Sequence, residues 1–449
     1  MTETHRESPP SPDVKTDDAI PPLRHNRNCR RLWLSQAVAL FGDEIFEYTI
    51  VLWLGLATVQ GNLSWGPVAT AGALAARMVP VLLFSLIGGV YSDRLDRRRV
   101  MMAMDAVRGV LVAGLAVFLM LGAGLPVALR LSVIYAVIGL AVVAAQFFNP
   151  ARYGLLAVVV ADRDRERMAS ILAGTSALAS IIGPAVAAVV VVWAEVQWSL
   201  LVIAAGYALS FAAVARVRVP AVVAGRVQAA RRRPAQVWKS LTAGLRFVAG
   251  NRVLRVMLTT TIISEIGVIT LATLEIFFVI RNLHAPVEVY GLLGAAFGIG
   301  SVTGAMLAAA FAPRLRATAT YSYGFVLLGV LFMVYSRMTA PVGAIIVLFL
   351  LGLPVAAVDS MVGPLVMRSA PEEFMGRVSA VMQLANRLAA LLSLSAAAWL
   401  ATTVLSGLDA SVAGVHFGPI DTILLAGGFI IALTGIWAGR ALRNWRNSE

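Results

Sequence analysis

The chain reads as long apolar runs separated by short polar breaks. Crossing the hydrocarbon core of a bilayer takes roughly 20 mostly apolar residues. Twelve stretches qualify, at about 32–58, 66–91, 101–123, 130–159, 168–193, 197–217, 254–280, 287–312, 319–337, 341–366, 376–405 and 418–441. They are longer than barrel strands and do not alternate, and lipid offers no partner to open backbone, so each predicts a helix. Numbered as spans 1 to 12, they predict an all-α integral membrane protein. The expected organisation is a disordered cytoplasmic tail over 1–24 and a six-helix bundle over 25–217. A cytoplasmic linker over 218–253 and a second six-helix bundle over 254–449 follow. Residues 1–23 are polar and proline-rich and lack the apolar core of a signal peptide.

The linker carries a pattern of its own. Over 235–249, Trp238, Leu241, Leu245 and Val248 recur at helical spacing opposite Lys239 and Arg246, which predicts an amphipathic helix along the inner leaflet. The two halves also share short matches. Asn26-Arg27 with Arg30 opens span 1, and Asn251-Arg252 with Arg255 opens span 7. Arg167-Met168-Ala169-Ser170 at span 5 corresponds to Arg377-Val378-Ser379-Ala380 at span 11, in a register that sets Asn149-Pro150 against Asp359-Ser360. Two pseudo-symmetric bundles related by an axis along the membrane normal are expected, with substrate bound between them near the midplane.

Charge fixes the orientation. Only 14% of residues are charged, mean hydropathy is +0.82 and the net charge is +13. With the amino terminus inside, 30 of the 37 Lys and Arg fall in the termini or inner loops. Arg130, Arg281 and Arg337 face outward, and Arg77, Arg108, Arg152 and Arg387 lie within spans. This bias places both termini in the cytoplasm. The basic excess then serves attraction to an anionic inner leaflet, and no nucleic-acid partner is expected. A single cysteine, Cys29, excludes an internal disulfide, and four scattered histidines suggest no metal site. No phosphate-binding loop appears, so neither ATP-driven transport nor enzyme activity is expected, and no cofactor. A monomer in a bacterial cytoplasmic membrane is the expectation, the source following from an arginine-rich, lysine-poor composition.

Ionisable side chains at membrane depth are rare and mark function. Gln36, Asp43 and Glu47 share one face of span 1, with Glu44 about a quarter-turn away. Asp43 lies roughly 17 Å from the inner end of its helix, near the midplane. Two roles are open for these carboxylates: exchange of protons or cationic cargo, or permanent ion pairs inside the bundle. Glu265 lies at similar depth in span 7, and Asn386 and Arg387 lie mid-span in span 11. Arg77 and Arg387 each need a partner at that depth, with Asp43, Glu47 and Glu265 as the candidates. Asp359 and Arg152 are placed for an inner gate, and Asn149 belongs to the same stretch of span 4. Gln146 and Gln383 could add hydrogen bonds to a substrate, and Phe46 could pack on a ligand or on the core.

The densest charge cluster is Gly89-Val90-Tyr91-Ser92-Asp93-Arg94-Leu95-Asp96-Arg97-Arg98-Arg99, between spans 2 and 3. Asp93 is placed to accept from the open N–H groups at the start of span 11, near Met375 to Arg377. Gly89, one turn earlier, lets helices approach closely. Arg98 and Arg99 read as water-side anchors, while Asp105 and Arg108, at i,i+3, pair locally or join the network.

Gly89-x-x-x-Asp93-Arg94-x-x-Arg97-Arg98 resembles the loop signature of the major facilitator superfamily. Gly183-Pro184 in span 5 resembles the antiporter motif of its proton-driven exporters. Arg77 with Pro80, Asp105 with Arg108, Phe148 to Arg152 and Gly376-Arg377-Val378 are similar to the branch holding macrolide-efflux, multidrug and enterobactin exporters. Asp96 stands where the loop signature has its second glycine, Ala187 and Ala188 follow Gly183-Pro184 where a later glycine belongs, and Val137 replaces a basic residue of span 4. The resemblance implies a latch of Asp93 and Arg97 closing the cytoplasmic side. It also implies a small-molecule substrate, and proton-coupled efflux of amphipathic drug-like compounds by rocking bundles. Export or flipping of one metabolite, such as a siderophore or lysolipid, is the alternative reading, and a transporter-like sensor is a further one.

Overall fold

A computed structural model describes residues 21, 23, 25–60, 66–92, 95–122, 124–217, 234–311, 316–405, 408, 410–412 and 415–443. Four helices come first: α1 Arg27–Gln60, α2 Gly66–Ser92, α3 Arg97–Leu121 and α4 Val127–Val159. A short 3-10 turn, Asp162–Asp164, then leads into α5, Arg165–Ala215. After the linker come α6 Pro234–Gly250, α7 Arg252–Arg281, α8 Glu288–Phe311, α9 Ala317–Ser336, α10 Pro341–Ser369, α11 Glu372–Trp399 and α12 Pro419–Ala441. A hairpin of three-residue strands, β1 Ala410–Val412 and β2 Val415–Phe417, sits between the last two helices. The sequence pattern did not foretell it.

Among the described residues, eleven helical segments are long and apolar enough to cross a membrane. The helix α1, expected as a further crossing, spans 34 residues but falls short of that measure because Asp43, Glu44 and Glu47 break its apolar run. Spans 5 and 6, expected as two helices, share the 51 residues of α5. The helix α1 shows how one run holds both. Trp33 and Glu44 meet Thr175 and Gly183, so the first limb of α5 runs parallel to α1. Ser35 and Gly42 meet Ser210 and Ile203, so the second limb runs antiparallel. The chain turns back between the apolar windows Ser170–Val191 and Val196–Ala215. Glu195 and Gln197 mark the reversal, but neither Gly nor Pro interrupts the helical hydrogen bonding there.

The internal repeat has a structural counterpart at two asparagines. Asn26 accepts from the Cys29 N–H (2.9 Å) and donates to the Val159 carbonyl (2.8 Å) at the end of α4. Asn251 accepts from the Val253 N–H (2.9 Å) and donates to the Ser369 carbonyl (2.9 Å) at the end of α10. Each caps the first helix of its half and ties it to that half's fourth helix, satisfying orphan groups at both ends. Small residues bring helices into backbone contact within the second half: a Cβ on Gly300 or Gly304 of α8 would strike the Phe349 or Leu353 carbonyl of α10. Without a hydrophobic force between helices in lipid, such close packing holds them together.

The halves meet from mid-span to the end opposite the termini. Gly291 and Gly294 of α8 pack on Pro184 and Ala188 of α5, and Gly298 packs on Ile181. The rings of Tyr48 in α1 and Tyr290 in α8 lie 5.3 Å apart. In a separate cluster, Ala71 of α2 packs with Leu394 and Ala398 of α11. At the other end, α6 docks on the start of α11: Phe247 stacks on Phe374 at 4.6 Å, Val248 is buried, and Gly244 abuts the Arg377 backbone. A helix runs over Pro234–Gly250, at the amphipathic segment expected over 235–249, and its described end rests on protein.

Candidate transport site

One polar cluster is built on Arg108 of α3, whose side chain is 2% exposed. Its Nη2 donates to Asp105 Oδ1 at 2.7 Å, one helical turn away. Its Nη1 reaches Asp43 Oδ1 of α1 at 3.4 Å. The guanidinium also sits 4.6 Å from the ring centroids of both Phe148 and Tyr207. The second limb of α5 completes the shell: Tyr207 donates its hydroxyl to Asp43 Oδ1 (2.5 Å), Ser210 donates to Asp105 Oδ2 (2.6 Å), and Ser35 and Ser210 hydroxyls lie 2.8 Å apart. Two carboxylates thus share one guanidinium in low dielectric, where hydrogen bonds to both oxygens of Asp105 and to Oδ1 of Asp43 keep burial tolerable. Asp105 is fully enclosed, whereas the Asp43 side chain keeps 46% of its surface open.

A second cluster faces the space between the halves. Arg77 of α2 forms a salt bridge with Glu47 of α1. Glu44 and Asp43 attract the same guanidinium, and Arg387 of α11 repels it across the cleft. In the second half, Glu265 of α7 interacts with Asp359 of α10 and with Arg387. The cleft therefore holds five carboxylates and two arginines drawn from both halves. Glu44 contacts Gly183, and Pro184 contacts Gly294 beside Tyr48, so the Gly-Pro pair lies where α5 touches both this cluster and α8.

The face of α1 expected to open on one cavity is shared out among three neighbours. Asp43 turns to α3 and α5, and Glu47 turns to α2. Gln36, fully buried, lines a separate cavity of about 430 Å³ with α4 and the first limb of α5. Arg152 lines that cavity too and lies over the Tyr153 ring at 4.6 Å. Gln146 donates back to the Val142 carbonyl of its own helix at 3.4 Å. Phe46 packs at the margin of the main core, and Asn149 is half-buried. Gln383 and Asp359 are exposed, and Asn386 Oδ1 is buried without a hydrogen-bond partner.

In the charged loop, Asp93 and Arg94 lie outside the described residues, and so does the environment of Gly89. Arg97, expected against span 11, instead donates to the Gly154 carbonyl of α4 at 2.9 Å. Arg98, expected as a water-side anchor, binds the last carbonyls of α5 at Val214 (3.3 Å) and Ala215. Arg31 binds the next carbonyl, of Arg216, at 2.5 Å. Cations at a helix C-terminus are favourable, so these two arginines fasten the end of the second limb. Asp96 is the N-cap of α3, accepting from Arg98 N–H at 3.0 Å and Arg99 N–H at 3.3 Å with φ −60°. That backbone needs no glycine. Arg377 lies 4.9 Å from the Phe374 ring.

Sequence reasoning missed Tyr207, Ser210 and Ser35, although Tyr207 and Ser210 sit at i,i+3 on an otherwise apolar helix, which is a signal for a polar stripe. It also missed the bridge from Arg337 to Asp421 at the end opposite the termini, with Phe417 of the hairpin 4.8 Å from the guanidinium.

A helical chain of two similar bundles, with ionisable groups facing the cleft between them, defines a multi-pass membrane transport architecture. The Major Facilitator Superfamily profile matches residues 32–394, and the chain belongs to that family of transporters. Among curated relatives, the multidrug efflux pump Tap of Mycobacterium tuberculosis is 27% identical over 382 residues, covering 82% of this chain and 83% of Tap. The proposed bacilysin exporter BacE of Bacillus subtilis is 27% identical over 191 residues; that match covers 42% of this chain and 44% of BacE. Among solved structures, a peptide transporter in complex with sulfate superposes with a TM-score of 0.69 at 12% identity, covering 97% of this chain and 98% of that one. A bacterial homologue of the iron transporter ferroportin gives 0.67 at 15% identity, covering 92% and 98%. At these identities the structural likeness speaks for the fold.

Proposed function

We propose that the protein is a secondary active exporter that moves amphipathic compounds out of a bacterial cell in exchange for protons. The two bundles rock about the cleft between them, with both termini in the cytoplasm. The contacts described between the halves run from mid-span to the end opposite the termini, so this conformation opens toward the cytoplasm. Asp43 carries the reading: one of its oxygens is held by Tyr207 and Arg108, while nearly half of its side chain remains open. Its open face puts an ionisable group where proton and cargo can both reach it as the bundles rock. Asp105, Glu44, Glu47 and Glu265 set the local field. The likeness to Tap, named a multidrug efflux pump, supports an outward direction and a broad cargo.

The test is a reconstitution. Wild-type proteoliposomes with a pH-sensitive dye inside should show proton movement when amphipathic toxic compounds are added, and cells expressing the protein should tolerate those compounds only while a proton gradient stands. Asp43→Asn should abolish the proton signal while leaving membrane insertion intact. Undiminished substrate-induced proton flux in that variant would overturn the assignment.

A further inference from the structure

The 430 Å³ cavity between α1, α4 and the first limb of α5 lies apart from the cleft charges, and its wall has one sign. Arg152 and Arg165 supply its charge, and no carboxylate is among the described residues that line it. Its floor holds Gln36, fully buried, with neither amide atom hydrogen-bonded. The buried Nε of Arg152 is likewise without a partner. An amide sealed inside a helical bundle with donor and acceptor both unused costs free energy, and a bound molecule that satisfies it recovers that cost. The remaining wall, including Met168 and Leu172, is apolar. The other deep arginines of this half already pair with carboxylates, Arg77 with Glu47 and Arg108 with Asp105 and Asp43, although Arg108 Nε is also unpartnered.

From this wall we infer a binding site for the anionic head of an amphipath, a carboxylate or phosphate on an apolar tail, with Arg152 meeting the charge and Gln36 hydrogen-bonding the head. The inference rests on the transporter reading and gives it a cargo class. Cargo enters this cavity at the terminal end of the bundle, away from the carboxylates of the cleft. The site therefore selects head-group charge, and the cleft handles protons. An anionic head has two sources, a lipid of the inner leaflet or a water-soluble amphipath.

The test uses the full chain in nanodiscs of zwitterionic phosphatidylcholine. The probes are a dansyl-labelled undecanoate and the same dansyl tail ending in trimethylammonium. The anion should bind saturably and the cation should not compete. Arg152→Gln should weaken the anion roughly ten-fold or more, as expected for loss of a charge-assisted hydrogen bond, while Arg152→Lys restores most of it. Gln36→Leu should weaken it about three-fold or more, with thermal unfolding of each variant checking the fold. Equal binding of cation and anion, or an unchanged anion affinity in Arg152→Gln, overturns the proposal. Adding phosphatidylglycerol to the discs separates the sources: competition marks a lipid head, and no competition marks a soluble cargo, each upholding the anionic site. Proton-linked flux of cations without anion binding would sink this proposal alone. Anion binding without flux of any compound would sink the transport reading and leave the site.

Discussion

Replacing Asp105 by asparagine removes one charge from the Arg108 cluster with little change of shape. At an effective dielectric of about 20, the 2.7 Å contact to Asp105 contributes roughly 6 kcal/mol of gross attraction and the 3.4 Å contact to Asp43 roughly 5 kcal/mol. Desolvating the ions offsets much of this. What the variant measures is the cost of leaving a buried guanidinium short of a partner, about 3–5 kcal/mol where no counter-charge remains. Asp43 stays, and the new amide oxygen still accepts from Arg108, so the lower end of that range, about 3 kcal/mol, is expected for Asp105→Asn. Arg108→Met alone should cost more, because two carboxylates then lose their cation. The double variant should cost less than the sum of the singles by about 2 kcal/mol or more, within the range found for coupled neighbours. The assay is reversible unfolding in mixed micelles across the four proteins of the cycle. An Asp105→Asn variant within about 0.5 kcal/mol of wild type, or strict additivity, would refute the buried triad as a stability element.

Other outcomes follow from single contacts. Asp96→Ala should lower stability by about 1 kcal/mol through loss of the α3 cap, whereas Asp96→Gly should cost only a few tenths; equal melting temperatures would contradict the capping role. Asn26→Ala and Asn251→Ala should each destabilise by roughly 1–3 kcal/mol, the first more because Asn26 is buried and Asn251 half-buried. If unfolding titrations find both silent, the paired ties are not structural. Cys29, in the first turn of α1 ahead of the apolar run, has its thiol pushed up to about 11, chiefly by burial, with Asp164 adding to the effect. A raised pKa starves the reactive thiolate at neutral pH, so maleimide labelling should be slow at pH 7 and climb only as pH approaches that value. Met168→Ala, by removing the sulfur 3.5 Å away, should speed it. Labelling of the wild type at pH 7 as fast as a free thiol would count against the burial.

Much of the fold was legible because lipid leaves the backbone so few choices. Apolar length alone marked the crossings, and the recurrence of Asn-Arg at residues 26 and 251 pointed to the repeat that the two asparagine ties embody. The merging of spans 5 and 6 into α5 was not legible. Glu195 and Gln197 interrupt the hydropathy, yet no residue there forbids helical dihedrals, so the reversal leaves a mark on polarity and none on hydrogen bonding. Asp96 was readable only in part. As a departure from a glycine it suggested a different turn, while its place three residues before Arg99 at a helix start is that of an N-cap.

Side-chain partners were harder to read, since composition carries depth but not direction. The i,i+3 spacing of Asp105 and Arg108 exposed their contact. The approach of Asp43, 65 residues earlier, and of Tyr207, about a hundred residues later, depends on how α1 lies between α3 and the second limb of α5. That difference changes the argument about cargo. Read singly, deep arginines favour an anion and deep carboxylates a cation, and the chain holds both. Once Arg77 and Arg108 are matched to carboxylates of their own half, neither votes for a substrate. Among the described groups with unused capacity are Asp43, which keeps an open face on the cleft, and Gln36 with Arg152, which face a cavity lined with no carboxylate among the described residues; Asn386 Oδ1 and Arg108 Nε are others. In the exporter we propose, proton exchange and cargo recognition fall to different residues, with Gln36 and Asp43 about two helical turns apart on α1. Exchange between them requires that occupancy of one alter the other, and α1, which carries both Gln36 and Asp43, is the element positioned to link them.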